Sequence, residues 1–271
     1  TVVCDGDALW QDGACGQLFR INGTVQGGLL GRSVNGAGDT DGDNHDDVII
    51  GMPKDDPAGR IDAGAAAVYS GADGSALFRV IGEAAGDWFG QSVAGAGDLN
   101  GDGRADVVIG AHKHDVLDGT TGKLLKDAGA VYAFSGIDGS RLFKAVGQAK
   151  GDWFGYSVAA GGDLDADGNA DLVAGAPHRD RINPLNGKPL KDVGAVYGLT
   201  GNGAQLFELA GLRKQDNYGL SLAGAGDVDL DGHADIITAT AKADTQDPLT
   251  MKLVKDIGVI EVISGRIATL D

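Results

Sequence analysis

Residues 88–111, WFGQSVAGAGDLNGDGRADVVIGA, decide how this chain is read, because their pattern recurs three more times. At its centre Asp98, Asn100, Asp102 and Asp106 space side-chain oxygens as D-x-[DN]-x-D-G-x-x-D. The other copies are Asp39, Asp41, Asp43 and Asp47; Asp163, Asp165, Asp167 and Asp171; and Asp227, Asp229, Asp231 and Asp235. Carboxylates at alternate positions of a tight turn aim their oxygens into one small volume, where they repel one another unless a hard cation neutralises them. Ca2+ suits such a set, since it accepts six to eight oxygens in flexible geometry while Mg2+ demands a near-ideal octahedron. The backbone carbonyls of His45, Arg104, Asn169 and His233 are expected to complete the sets, giving about four Ca2+ ions. Gly103, Gly168 and Gly232 follow the third ligand, where the turn calls for positive φ; the first copy has Asn44 there, the next most tolerant residue type.

An EF-hand begins with the same ligand spacing but requires a bidentate Glu at position twelve. Ile50, Ile109, Ala174 and Thr238 stand there instead. After the last ligand the chain runs into DVIIG, DVVIG, DLVAG and DIITA, short apolar and largely β-branched segments that read as strands rather than helices.

Composition agrees with turn-dense β structure: 47 of 271 residues are Gly, without a three-residue period. The formal charge of −17 is largely a property of the loops, which hold 15 of the 39 acidic residues. No Lys/Arg stripe exists to neutralise phosphates, which argues against a nucleic-acid partner. No run of 18 apolar residues is present, so no membrane span is expected, and the start has no charged-then-apolar leader, as in a processed mature chain. Cys4 and Cys15 are the only cysteines and read as a disulfide. Calcium loops and a disulfide together point to an extracellular or cell-surface location, secreted or periplasmic.

Between loops the grammar is constant. A small-residue strand such as GQSVAGAGD (90–98) precedes each loop and the apolar strand follows it. A longer connection then leads to a third strand at 65–71, 129–136, 194–201 and 258–265. A Gly-containing turn leads to an LF-containing fourth strand, as in SALFRVIGE, SRLFKAVGQ and AQLFELAGL. Loops recur at intervals of 59, 65 and 64 residues, which accommodates a four-stranded unit and exceeds a WD40 blade of roughly 40–45 residues. The reading is all-β, a β-propeller of four four-stranded blades with a calcium loop between strands 1 and 2 of each, in a single domain over 1–271.

The ordered strings FG, GAGD-LNGDGRAD, VVIGA and GAVYAFSG resemble FG-GAP repeats, the blades of the integrin alpha-subunit N-terminal propeller, over about residues 16–265. Departures are Leu30 for the aromatic in the first copy, Asn44 for the loop Gly, Gly51-Met52-Pro53 for Gly-Ala-Pro, and Thr238-Ala239-Thr240 in the last copy. Propellers of the integrin type have seven blades, and this chain offers four loops. Either the LF segment at 16–23, within the N-terminal segment 1–24, closes a four-bladed ring by pairing with the strand at 258–265, or the chain is an arc that needs another chain or further sequence.

In a propeller the calcium loops lie opposite the 2–3 and 4–1 connections, and resemblance to integrins implies that ligands bind the latter face. Candidate contacts there for a protein or glycan are Trp88, Trp153 and Tyr218 from the 4–1 turns, with His112, His114, His178 and Arg179 from the long loops. Trp88 and Trp153 also read as cover for the packing between blades. The long loops end in KLLKDAG, KPLKDVG and KLVKDIG, expected hairpin bases. No nucleophile-and-base pair, G-x-S-x-G, H-E-x-x-H or P-loop is found, so a non-catalytic, lectin-like or adhesive module is expected. Alternatives are a self-assembling subunit, hence a homo-oligomer, and an accessory part of a secreted enzyme complex.

Overall fold

A computed structural model describes residues 18–240, 245–246, 253–254 and 258–265. Cys4 and Cys15, with their expected disulfide, lie outside these residues.

The first repeat forms β1 (Ser33–Gly38), β2 (Asp47–Met52), β3 (Ala65–Tyr69) and β4 (Ala76–Ile81). The second forms β5 (Ser92–Gly97), β6 (Asp106–Ala111), a short ribbon of β7 (Val116–Leu117) and β8 (Leu124–Leu125), β9 (Ala130–Phe134) and β10 (Arg141–Val146). The third forms β11 (Ser157–Gly162), β12 (Asp171–Ala176), the ribbon β13 (Arg181–Ile182) and β14 (Pro189–Leu190), β15 (Ala195–Leu199) and β16 (Gln205–Ala210). The fourth forms β17 (Ser221–Gly226), β18 (Asp235–Thr240), the ribbon β19 (Thr245–Gln246) and β20 (Leu253–Val254), and β21 (Val259–Ile263). Leaving the ribbons aside, each repeat is an antiparallel meander. The first three sheets have four strands and the fourth, among the described residues, has three, in the order β17-β18-β21.

The alternation of small and apolar segments explains this layout. The inner strands SVNGAG, SVAGAG, SVAAGG and SLAGAG are thin enough for backbones to crowd, and β5 packs directly on β1 and β11, as β11 does on β17. Each inner hairpin carries a register shift at its last residue pair, at Gly38, Gly97, Gly162 and Gly226, all with φ between 70 and 75°. That bulge aims the chain into the acidic loop. In the first three sheets the second and third strands supply the core, with Ile49, Val68, Val107, Ile109, Val131, Leu172, Val173 and Val196 inaccessible.

The F-G and A-G dipeptides lock neighbouring sheets. Phe89, Phe154 and Tyr218 form backbone bridges to Gly64, Gly129 and Gly194 of the preceding sheet. A side chain on any of these glycines would collide with the aromatic residue's backbone. Phe89 then packs edge-on to Tyr132 and Phe134, and Phe154 to Tyr197, across the next sheet.

Among the described residues the sheets do not close into a ring. Inner strands β1 and β17 make no contact comparable with those between consecutive sheets. Residues 18–24 are not a strand paired with β21; Phe19 lies over Gly74 of the first sheet.

Candidate functional site

The four acidic loops share one backbone design. The first Asp accepts main-chain N–H groups from across its loop: Asp98 from Gly101 (2.7 Å) and Gly103 (2.8 Å), Asp163 from Asp167 (3.0 Å) and Gly168 (2.9 Å), Asp227 from Asp231 (3.1 Å) and Gly232 (3.0 Å), Asp39 from Asn44 (3.0 Å). The third and fifth positions form turns with the amide two residues on, as in Asn100 with Asp102 (2.9 Å) and Asp102 with Arg104 (2.9 Å). Asn44, Gly103, Gly168 and Gly232 have φ of 67, 85, 89 and 92°, the left-handed turn expected from sequence. Carboxylate oxygens of Asp39, Asp41 and Asp43, of Asp163, Asp165 and Asp171, and of Asp227, Asp229 and Asp235 gather within 4.8 Å of one another. The second loop shares the fold, with Asn100 as a neutral oxygen donor.

The ninth-position carboxylates are buried. Through Oδ2 they accept the amides of Thr40, Leu99, Leu164 and Val228, at 2.7–2.9 Å. Through Oδ1, Asp47, Asp106 and Asp235 accept Gly71, Gly136 and Gly265 from the 3–4 turns or the end of the third strand, at 3.0–3.3 Å. Asp171 differs. Its 3–4 turn, closed by Thr200 on Ala204, is one residue shorter than those closed by Ser70 on Ser75 and Ser135 on Ser140. Asp171 Oδ1 is left buried without a hydrogen-bond partner. Burial, against the amide of Leu164 and with the neighbouring carboxylates of Asp165, Asp167 and Asp163 adding to it, pushes Asp171 up to about 6. Burial likewise raises Asp106. An orphaned carboxylate oxygen in an all-oxygen donor cluster fits a hard divalent cation.

Position seven does more than the sequence reading asked of it. His233 Nδ1 lies 2.9 Å from the Leu164 carbonyl of the preceding loop, and the Arg104 guanidinium lies against Gly42. Asn169 and His45 stay within their own loops, on Asp167 (3.0 Å) and Asp43 (3.2 Å).

On the long-loop side the structure brings together residues that lie far apart in sequence. His112 has Trp88, Trp153 and Tyr156 edge-on around it, at ring separations of 5.6, 5.1 and 5.3 Å, and His178 stands 4.2 Å from Trp153. Lys113 and Lys54 place their ammonium groups 3.8 and 4.9 Å from the Trp88 ring. His112 is 2% exposed and its Nδ1 has no partner. Burial, with the charges of Lys113, Arg32 and His178 adding to it, lowers it to about 3, so the ring is neutral at physiological pH. Both tryptophans have φ near +57°, a left-handed conformation that lifts them at the 4–1 turns.

Three sequence candidates lie elsewhere. Tyr218 takes the place of Phe89 and Phe154 and is buried between sheets, not on the ligand face. His114 is sandwiched, Nδ1 3.0 Å from Asp87 and Nε2 2.9 Å from Lys144. Arg179 stands in its equivalent place in the third sheet, 3.2 Å from Glu208 and 3.5 Å from Asp152, whose carboxyl burial pushes up to about 7 against that guanidinium. In the first sheet the same positions hold Asp55 and Arg79, 2.5 Å apart. Each of these pairs ties the start of the 2–3 loop to the outer strand of its own sheet, while Asp87 and Asp152 reach two of them from the preceding 4–1 turns. Two of the three loop ends expected to be hairpin bases are so, Asp115 and Asp180 accepting the amides of Asp127 and Asp192 at 2.8 and 3.0 Å; Lys255 and Asp256 of the third lie outside the described residues. Lys191 pairs with Asp180 across the hairpin, while Asp192 faces His178.

The FG-GAP repeat family matches residues 89–134 and 154–199. Curated relatives include integrin alpha-5 of Xenopus laevis, 30% identical over 215 residues (75% of this chain, 19% of the relative). Integrin alpha-V of Gallus gallus is 31% identical over 233 residues (80% and 20%). The chain thus spans about a fifth of these relatives. Among solved structures, rhamnogalacturonan lyase YesW aligns at 21% identity over 76% of this chain and 40% of its own, with a TM-score of 0.45. From its repeated F-G, acidic-loop and G-A-V-Y elements, its meander sheets and these matches, the chain is an FG-GAP repeat protein with an integrin alpha-like β-propeller fold.

Proposed function

We propose that the chain is a calcium-stabilised, non-catalytic extracellular binding module that takes a protein or glycan on the face carrying the 2–3 and 4–1 connections. The observation that carries the ligand reading is the ladder of Trp88, His112, Trp153 and His178. Trp88, Trp153 and His178 are partly exposed around the buried His112 and offer contact area at small entropic cost, and the flanking Lys54 and Lys113 give this ladder a positive rim. Our reading assigns calcium to the four acidic loops, and the unpartnered Asp171 Oδ1 supports it most directly. At extracellular Ca2+ the ions act as structure: with a Kd of about 10⁻⁴ M and about 1 mM Ca2+, linkage supplies about 1.4 kcal/mol per site.

Catalysis gains no support from the Asp87–His114 pair, since Lys144 occupies the other ring nitrogen. The extracellular assignment agrees with the integrin alpha relatives and with the absence, among the described residues, of a helix long and apolar enough to cross a membrane. Self-assembly is a second reading, favoured by the separated first and last sheets.

The test is binding to an array of glycans and matrix proteins in 1 mM Ca2+, with Trp88→Ala/Trp153→Ala as the probe. The double variant should keep its calcium-dependent melting and lose its hits. Hits that survive it would remove the ligand from this face.

A further inference from the structure

The interface between the second and third sheets departs from the one between the first and second. At the earlier interface Phe89 packs edge-on to Tyr132 and Phe134, 5.2 and 5.9 Å away, and Glu83 gathers the Tyr132 hydroxyl (3.2 Å), Arg141 and Lys144 (2.6 Å). Strand register gives the counterparts. Leu199 pairs with Gln205 across β15 and β16 as Phe134 pairs with Arg141 across β9 and β10, and Glu208 takes the place of Lys144. Gln148 in VGQAKGDWFG stands where Glu83 stands in IGEAAGDWFG. One ring is lost, and in place of the charge cluster the Gln148 amide donates to Gln205 at 3.3 Å.

These exchanges accompany a cavity of ≈ 220 Å³ between the two sheets. Phe154, Tyr197 and Leu199 wall it, the exposed Gln148 and Gln205 stand at its rim, and Asp152 lines it while only 3% exposed. The equivalent aspartates of the other 4–1 turns are capped: Asp87 Oδ2 accepts the Ala84 amide and Asp216 Oδ2 the Arg213 amide, each at 2.9 Å. Among the described residues Asp152 accepts no hydrogen bond, and its charged neighbour is Arg179 at 3.5 Å, which lies closer to Glu208, at 3.2 Å. Asp87, by contrast, has His114 at 3.0 Å with Lys144 on the far ring nitrogen. A buried carboxylate whose oxygens are unbonded and whose cation is shared is a costly arrangement in a folded chain.

We infer that this cavity binds a primary ammonium group on a short aliphatic stem, the ammonium on Asp152 and the stem among Phe154, Tyr197 and Leu199. The charges select the class. Asp152 and Glu208 bring two carboxylates against the one guanidinium of Arg179, which disfavours an anion and leaves a negative charge to neutralise. An alcohol supplies one donor and no charge, whereas an ammonium supplies three donors and the charge. The Phe154 and Tyr197 rings, edge-on at 5.2 Å, add aromatic surface that attracts a cation and shelters the stem. This site is additional to the tryptophan ladder and to the acidic loops, and it depends on neither reading.

Titration of the full 271-residue chain with n-butylamine, n-butanol and butyrate, followed by saturation-transfer NMR and calorimetry in Ca2+, tests this. Butylamine should bind with a Kd on the order of 1 mM, as five heavy atoms allow, and about tenfold or more tighter than the alcohol or the acid. Leu199→Phe, which restores the ring that Phe134 supplies in the second sheet, should fill the cavity and abolish binding while calcium-dependent melting is retained. Asp152→Asn, which keeps the shape, should erase the preference for amine over alcohol. No binding of butylamine by the parent chain, or equal binding of amine and alcohol, overturns the inference. Amine binding indifferent to both variants also overturns it, since that marks attraction to the acidic surface alone. Where the inference stands, competition by N-acetyl-lysine amide separates the sources: displacement of butylamine assigns a lysine of a partner protein, and failure to displace it assigns a free amine.

Discussion

Replacing Asp165 by Ala should change the sign of its effect with calcium. Asp163, Asp165 and Asp171 hold carboxylate oxygens within 4.8 Å of one another. At that separation each pair repels by about 0.9 kcal/mol even in a water-like dielectric. Removing Asp165 abolishes two of the three pairs, roughly 1.7 kcal/mol before screening by salt. What is lost in chelator is one hydrogen bond, from the Asp167 amide at 3.2 Å, worth about 0.5–1 kcal/mol at an exposed site. Asp165→Ala is therefore expected to stabilise slightly in EDTA, by about 0.5–1 kcal/mol. In 1 mM Ca2+ up to about 1.4 kcal/mol of linkage is forfeited against that gain, so the net effect is a destabilisation of about 0.4–0.9 kcal/mol. For a chain of this size that is a fall of roughly 1–3 °C in calcium and a rise of similar size in EDTA. Asp163→Ala is the control: its carboxylate holds two loop amides, at 3.0 and 2.9 Å, so it should destabilise in both buffers and more in calcium. Scanning calorimetry of both variants in the two buffers decides it. An identical shift for Asp165→Ala with and without Ca2+ would refute the metal assignment of this loop.

Gly129→Ala should cost more than about 3 kcal/mol by denaturant unfolding, because φ is +88° and a Cβ would strike the Phe154 backbone. Gly119→Ala, in open space at an ordinary φ, should fall within about 0.5 kcal/mol of the parent. His112 gives a pH signature. Its folded-state value of about 3 lies below the unfolded 6.5, so the unfolded chain takes up the proton first and stability falls as pH drops below 6.5. Between pH 7.5 and 5 this group alone removes about 2 kcal/mol, and His112→Phe, which keeps the ring packing, should flatten that part of the profile; a parallel profile would contradict a buried neutral ring. Ala166, at φ 60° where two other loops carry Gly42 and Gly101, should gain about 0.5 kcal/mol as Ala166→Gly, read as a raised melting midpoint in both buffers.

The legible features were those set by local chemistry. Alternating carboxylates, a left-handed residue after the third one and a β-branched run beyond the ninth are short-range demands, and the loops and strands stand where the residues place them. The burial of Tyr218 was legible in the register, since it aligns with Phe89 and Phe154 and shares their place between sheets. The neutral, enclosed state of His112 could not be read, because it depends on Trp88 and Trp153 arriving from two different 4–1 turns. The swapped pairs Asp55–Arg79, His114–Lys144 and Arg179–Glu208 were hidden for a related reason. Strand pairing creates them across some 24–30 residues, and no single repeat shows that the partners covary. The position of residues 18–24 depended on where four sheets end, which the repeat count does not fix.

The ninth-position aspartate connects the acidic loops to the outer strands of their sheets. Its Oδ2 anchors the loop's second residue and, in three sheets, its Oδ1 anchors the glycine after the third strand, so one buried carboxylate ties the inner hairpin to the outer one. The residue anchored by Oδ2, Thr40, Leu99 or Leu164, is the one that packs beneath the next sheet. A cation that fixes this carboxylate therefore stiffens both its own sheet and the stacking of the following one. In the third sheet the glycine amide is missing from Asp171 Oδ1, where a bound cation would supply what a backbone N–H supplies elsewhere. Calcium removal should accordingly loosen the third sheet first, which hydrogen exchange would show as earlier loss of protection in β11 and β12 than in β5 and β6. Uniform loss across the sheets would mean that the ninth aspartates bear equal loads and that the shortened turn has no consequence.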